Sequence, residues 1–171
     1  PFSNANRKKK TSSSVPVIAF DNVGLGAVHD ASFMQQLNGG SQSAYCLMLC
    51  DTAMFEGKAK THLLDWGSSK IHRKMRSTLA AEASSAAKAY DRGAYARMML
   101  HEIEYGPSHM WNRCSDDISS MSNNWRLMCS RIPFTLGTDC KSLYDLCTKN
   151  GSMPEEKRVA LDLLDCLLYT S

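Results

Sequence analysis

From Leu79 to Met98 the apolar residues Leu79, Ala83, Ala86, Tyr90, Ala94 and Met98 recur every three or four positions, while shorter strand-like runs lie on both sides. A stripe of that period is one face of a helix that must be laid on something apolar. The runs supply it. Val15 to Phe20 is a short β-branched stretch, and Leu25 to Phe33 alternates, with Val28, Asp30 and Ser32 on one face and Ala27, His29, Ala31 and Phe33 on the other. Ala44 to Cys50 is a continuous apolar run after the turn signal Asn38-Gly39-Gly40, and His62 to Trp66 is a further strand. These turn-separated runs predict an antiparallel meander at the front of a sheet.

Ser77 or Thr78 can cap the long helix, Gly93 threatens a kink within it, and Gly106-Pro107 ends it. Residues 106–130, rich in Ser, Asn and Met, read as an insertion with weak helical content. Ile132 to Thr138 is then a strand and Lys141 to Thr148 a short helix. Pro154-Glu155-Glu156 opens an amphipathic helix with Val159, Leu161, Leu163, Leu164 and Leu167 as apolar positions. Strands, helix, strand, helix, helix is the order of an α/β sheet with helices packed across it.

Charge and cysteine usage narrow the function classes. Arg7, Lys8, Lys9 and Lys10 supply four positive charges with no acid in the first ten residues, so the formal net charge of +3 belongs to a polar tail, residues 1–14. Such a block is most simply a solvated linker. No apolar core follows it as in a secretory signal, and no run is long enough to span a membrane. Seven cysteines, without a Cys-x-x-Cys, form no paired framework, and buried free thiols in a reducing compartment account for them. There is no P-loop, no Gly-x-Ser-x-Gly and no zincin pair around His101-Glu102, and Gly24-Leu25-Gly26 lacks the third glycine of a dinucleotide fingerprint.

Three acids remain, each in its own setting. Asp30 lies in Val28-His29-Asp30-Ala31-Ser32-Phe33, Glu82 in Ser77-Thr78-Leu79-Ala80-Ala81-Glu82, and Asp139 in Gly137-Thr138-Asp139-Cys140-Lys141-Ser142-Leu143. Taken singly, Asp30 is a polar residue on a half-exposed strand, Glu82 an acid favoured by the helix dipole, and Asp139 an N-cap. Together, with Asp30 expected on the strand face that meets a helix N-terminus, they offer the oxygen ligands that a hard cation needs. Just before Glu82, Lys70, His72, Arg73, Lys74 and Arg76 form a cationic loop suited to phosphates. Trp66, alternating with Leu64, reads as core.

These segments, in this order, resemble the ribonuclease H domain of copia-type LTR retrotransposon Pol polyproteins, over most of residues 25–165. The resemblance implies a ribonuclease H-like α/β fold, with a mixed sheet, helices packed on it, and residues 15–165 as the domain. It implies Asp30, Glu82 and Asp139 as catalytic ligands of two Mg²⁺ or Mn²⁺ ions, Asp30 bridging both. It also implies hydrolysis of the RNA strand of an RNA–DNA hybrid, a linked reverse transcriptase as partner, and an intracellular setting, cytoplasmic particle or nucleus. The family's further acid, on an Ala-Asp after a later strand, has no counterpart here. The final strand and helix are therefore expected to be missing, leaving a weak nuclease with an uncovered sheet surface. Residues 166–171 are what TGT-CTC-TTA-TAC-ACA-TCT encodes, a sequence similar to a transposase sequencing-adapter end, and are expected to be foreign to the gene. A catalytically inactive relic that binds nucleic acid is the alternative. An integrase core is a third reading, for which Glu156 is a poor fit.

Overall fold

The computed structural model describes residues 18, 22–36, 39–106, 132–148, 154 and 156–168. The basic tail, nearly all of the 15–20 run and nearly all of the 106–130 insertion lie outside the described residues. Among the described residues four strands, β1 (Val23–Ser32), β2 (Ser41–Asp51), β3 (Thr61–Ile71) and β4 (Phe134–Gly137), form one mixed sheet in the order β3-β2-β1-β4. The first three are the expected antiparallel meander, and β4 joins β1 in parallel. The helices are α1 (Thr78–Tyr105), α2 (Lys141–Thr148) and α3 (Lys157–Leu168). The architecture is α/β and compatible with a ribonuclease H-like fold. Among the described residues no helix is long and apolar enough to cross a membrane.

Alternation along β1 and β2 sorts the sheet into two faces. Leu25, Ala27, Tyr45 and Leu47 are buried and meet Ala89 of α1. A second cluster gathers Ile71, Met75, Ala80, Ala81, Ala83, Ala86, Leu143 of α2, and Val159 and Leu163 of α3. The small alanines let α1 lie close to both the sheet and α3. Burial along α1 is therefore broader than the single stripe expected from the sequence. Leu161, one of the apolar positions of the amphipathic helix, is exposed on α3.

The opposite face carries the row Val28, Cys46 and Trp66, cross-strand neighbours on β1, β2 and β3. Trp66 is 68 % exposed there and Leu64 is also exposed, so neither is core. A register shift beside Leu47/Met48 breaks the alternation of β3 at Leu64, which pattern reading could not detect. On the covered face Tyr45 donates its hydroxyl proton to Asp65 Oδ2 at 2.8 Å, and Gly67 leaves space for its ring. Cys46, Cys50, Cys140 and Cys147 are free thiols.

α1 runs unbroken through Gly93 for 28 residues, from the Ser77 N-cap, whose Oγ accepts the Ala80 N–H at 3.0 Å, to the Gly106 C-cap. Gly93 does not break the helix and serves close approach: a Cβ there would fall 2.4 Å from the Phe134 ring, which stacks edge-on against Tyr90. Gly93→Ala gains about 1 kcal/mol of helix propensity but overpacks this contact, a loss of roughly 1–3 kcal/mol. A net destabilisation is expected in denaturant titration. In a Phe134→Ala background the same substitution should be stabilising, and equal effects in both backgrounds would refute the contact.

Candidate metal centre

The parallel pairing of β1 and β4 brings two of the acids together. Val28 lies beside Gly137, and two residues further along each chain come Asp30 and Asp139, where both strands run out at the same end of the sheet. Glu82, near the start of α1, supplies the third. One carboxylate oxygen of each of Asp30, Glu82 and Asp139 lies within 4.8 Å of the others, with Asp30 and Asp139 exposed and Glu82 5 % exposed. Convergence follows the sequence expectation. His29, buried beside Glu82, precedes Asp30, which is exposed on β1 and still reaches the Glu82 carboxylate of α1.

The backbone around the three acids is pinned. Ser85, one turn beyond Glu82 and buried, has its Oγ 2.8 Å from the Asp30 carbonyl and 3.2 Å from that of its cross-strand partner Ala44. The Ala31 N–H donates to the Glu82 carboxylate. Asp139 follows Thr138, whose Oγ1 accepts the Cys140 N–H at 3.1 Å, so a hydroxyl serves the turn into α2. Neither Ser85 nor His29 was singled out from sequence. The signal for Ser85 was its position three residues after Glu82, on the same side of the helix.

Glu82 Oε2 is buried and has no hydrogen-bond partner among the described residues, and neither has either ring nitrogen of His29. Burial, followed by the charges of Asp30 and Asp139, pushes the Glu82 carboxyl up to about 7, against the pull of the Ala31 N–H. His29 Nδ1 stands 3.6 Å from Glu82 Oε2, too far for a hydrogen bond. Burial also lowers the His29 pKa, outweighing Asp139 and Asp30, so the imidazole is neutral and the contact is not an ion pair. An orphaned buried carboxylate oxygen beside two further carboxylates fits a hard divalent cation: the ion would satisfy Glu82 Oε2 and relieve the repulsion.

The expected cationic loop is divided by the structure. Lys70 belongs to β3 rather than the loop, and His72 follows the strand, exposed. Both line a cavity of about 230 Å³ with Arg73, Lys74 and the Gly39–Gly40 turn. Arg73 pairs with Asp162 of α3, so it fastens the loop to that helix instead of standing free. Lys74 and Arg76 are exposed on either side of buried Met75.

The chain matches no protein-family model and no curated protein. Among solved structures it is similar to the native prototype foamy virus protease-reverse transcriptase, with a TM-score of 0.31 and 11% identity, covering 94% of this chain and 22% of that chain. This chain thus spans under a quarter of that protein's length, and a likeness at that level carries no argument about activity.

Proposed function

We propose that the chain is a ribonuclease H-like domain of a retroelement polyprotein, linked to a reverse transcriptase, that hydrolyses the RNA strand of RNA–DNA hybrids. The observation that carries the reading is the convergence of Asp30, Glu82 and Asp139, brought within 4.8 Å from β1, α1 and the end of β4. Two Mg²⁺ ions, when bound, would supply Lewis-acid activation of a water and stabilisation of the leaving 3′ oxygen. The residues of the chain hold that chemistry in place. Asp30, two residues beyond the last β1–β4 pair, would contribute to holding both ions, with Glu82 and Asp139 each holding one. Ser85 and the Ala31 N–H fix the strand end and the Glu82 carboxylate. A hybrid would be recognised through backbone and 2′-hydroxyls, without base readout.

The test is a hybrid labelled on the RNA strand and incubated with the 171-residue chain and Mg²⁺. Slow cleavage is expected, leaving 5′-phosphate and 3′-hydroxyl ends and lost on Asp30→Asn. Ends carrying a 2′,3′-cyclic phosphate would assign the cleavage to the RNA's own 2′-hydroxyl and contradict the reading. Binding of cation and hybrid with no cleavage would favour the nucleic-acid-binding alternative.

A further inference from the structure

A second site is built where the loop after β3 meets the start of α3. Lys74, Arg76, Lys157 and Arg158 line a cleft of about 520 Å³ together with Glu156. In the sequence, Lys157 and Arg158 stand more than 80 residues from Lys74 and Arg76. Only the fold brings them next to the loop.

Three features fix the two walls. Met75 is buried between Lys74 and Arg76, which leaves both cations facing solvent. Val159 and Leu163 bury α3 in the same cluster as Met75 and Ile71, which leaves Lys157 and Arg158 exposed at the head of the helix. The Arg73–Asp162 pair ties one wall to the other. Asp162 stands one helical turn after Arg158, so the pair anchors α3 beside the cationic end. Among the described residues, none of the four cations forms an ion pair with a carboxylate. Apolar packing thus holds four positive charges around one cleft, where Glu156 is the acid among the described lining residues, an arrangement that is self-repelling until a polyanion enters.

We infer that this cleft is a docking site for the sugar–phosphate backbone of the hybrid duplex, with Lys157 and Arg158 of α3 as phosphate contacts opposite Lys74 and Arg76. The inference rests on the proposed function for the identity of the polyanion, but not for its test, which needs no metal. Lys and Arg supply affinity and register here, without base readout. Each phosphate contact made by such a residue releases condensed counterion, and its loss lowers the salt slope of binding by about 1.

The experiment measures anisotropy of a fluorescein-labelled RNA–DNA hybrid in EDTA across a salt series. With K157A/R158A, affinity at low salt should fall about tenfold or more and the slope by about 2. The control K58A/K60A, removing the same charge beside the 3₁₀ turn at Thr52–Glu56, should leave both within about twofold. Because the two cations are exposed, K157A/R158A should also unfold no earlier than the parent, so a lost fold cannot imitate lost binding. D30N/E82Q/D139N should retain hybrid binding in EDTA. Its retention separates failure of the cleft from failure of the metal centre. An unchanged slope in K157A/R158A, or an equal loss in K58A/K60A, would overturn the inference.

Discussion

Glu82→Gln is expected to stabilise the metal-free protein at pH 8 by about 3 kcal/mol and to leave it nearly unchanged at pH 4. In the unfolded chain the carboxyl ionises at its ordinary value of 4.5, whereas in the folded protein it holds its proton to about 7. Between those two values the folded state binds the extra proton, so stability falls as pH rises through this window. Above about 7 the full penalty applies. At 1.36 kcal/mol per unit it amounts to about 3 kcal/mol. A glutamine keeps the carbonyl that can accept the Ala31 N–H and carries no charge to desolvate. For a domain of this size the gain corresponds to an upward shift of roughly 6–12 °C in Tm. Asp30→Asn or Asp139→Asn should recover a smaller part, because burial is the first cause of the shift and their charges come after it. A Tm–pH profile in EDTA that is the same for wild type and Glu82→Gln would show that Glu82 is not buried as described.

The second large effect is the reverse of the first. Adding Mg²⁺ or Mn²⁺ should stabilise the wild type, and more strongly as pH rises through about 7, since a cation must displace the Glu82 proton. At ten times its Kd a ligand of the folded state contributes about 1.4 kcal/mol. Asp30→Asn should remove this cation-dependent gain while raising the metal-free Tm slightly, and that opposition of signs distinguishes a ligand from a structural residue. Affinity should fall at least as far as when an outer partner of a ligand is lost, roughly 10–100-fold. Differential scanning at pH 6 and pH 8, with and without cation, reads both quantities. A cation shift of equal size at both pH values would contradict the coupling to Glu82.

Much of this was legible in the chain itself. Turn-separated runs marked the meander, the period of the 79–98 stretch marked α1, and Ser77, Gly106 and the Pro154 segment marked helix ends. Taken singly, the three acids read as a strand polar residue, a helix-dipole acid and an N-cap, and it was the order of their local segments, through the resemblance it carries, that gathered them into one candidate site. What escaped depends on three-dimensional neighbours. Gly93 looked like a helix breaker because the ring it accommodates, that of Phe134, belongs to a distant strand. Trp66 looked like core because alternation says which residues share a face, not which face is covered. Arg73 looked like a free phosphate ligand because its partner Asp162 lies on another helix, and the same packing brings Lys157 and Arg158 to Lys74 and Arg76.

The central claim is that Asp30, Glu82 and Asp139 form a divalent-cation centre, and Mn²⁺ binding followed by electron paramagnetic resonance at pH 8 tests it most directly. Titrating the 171-residue chain into Mn²⁺ should quench the free-ion signal in the wild type and leave it intact in D30N/E82Q/D139N, a variant whose unfolding should occur at a higher temperature in EDTA. A wild-type signal that persists unquenched, or one quenched equally by the triple variant, would contradict the account.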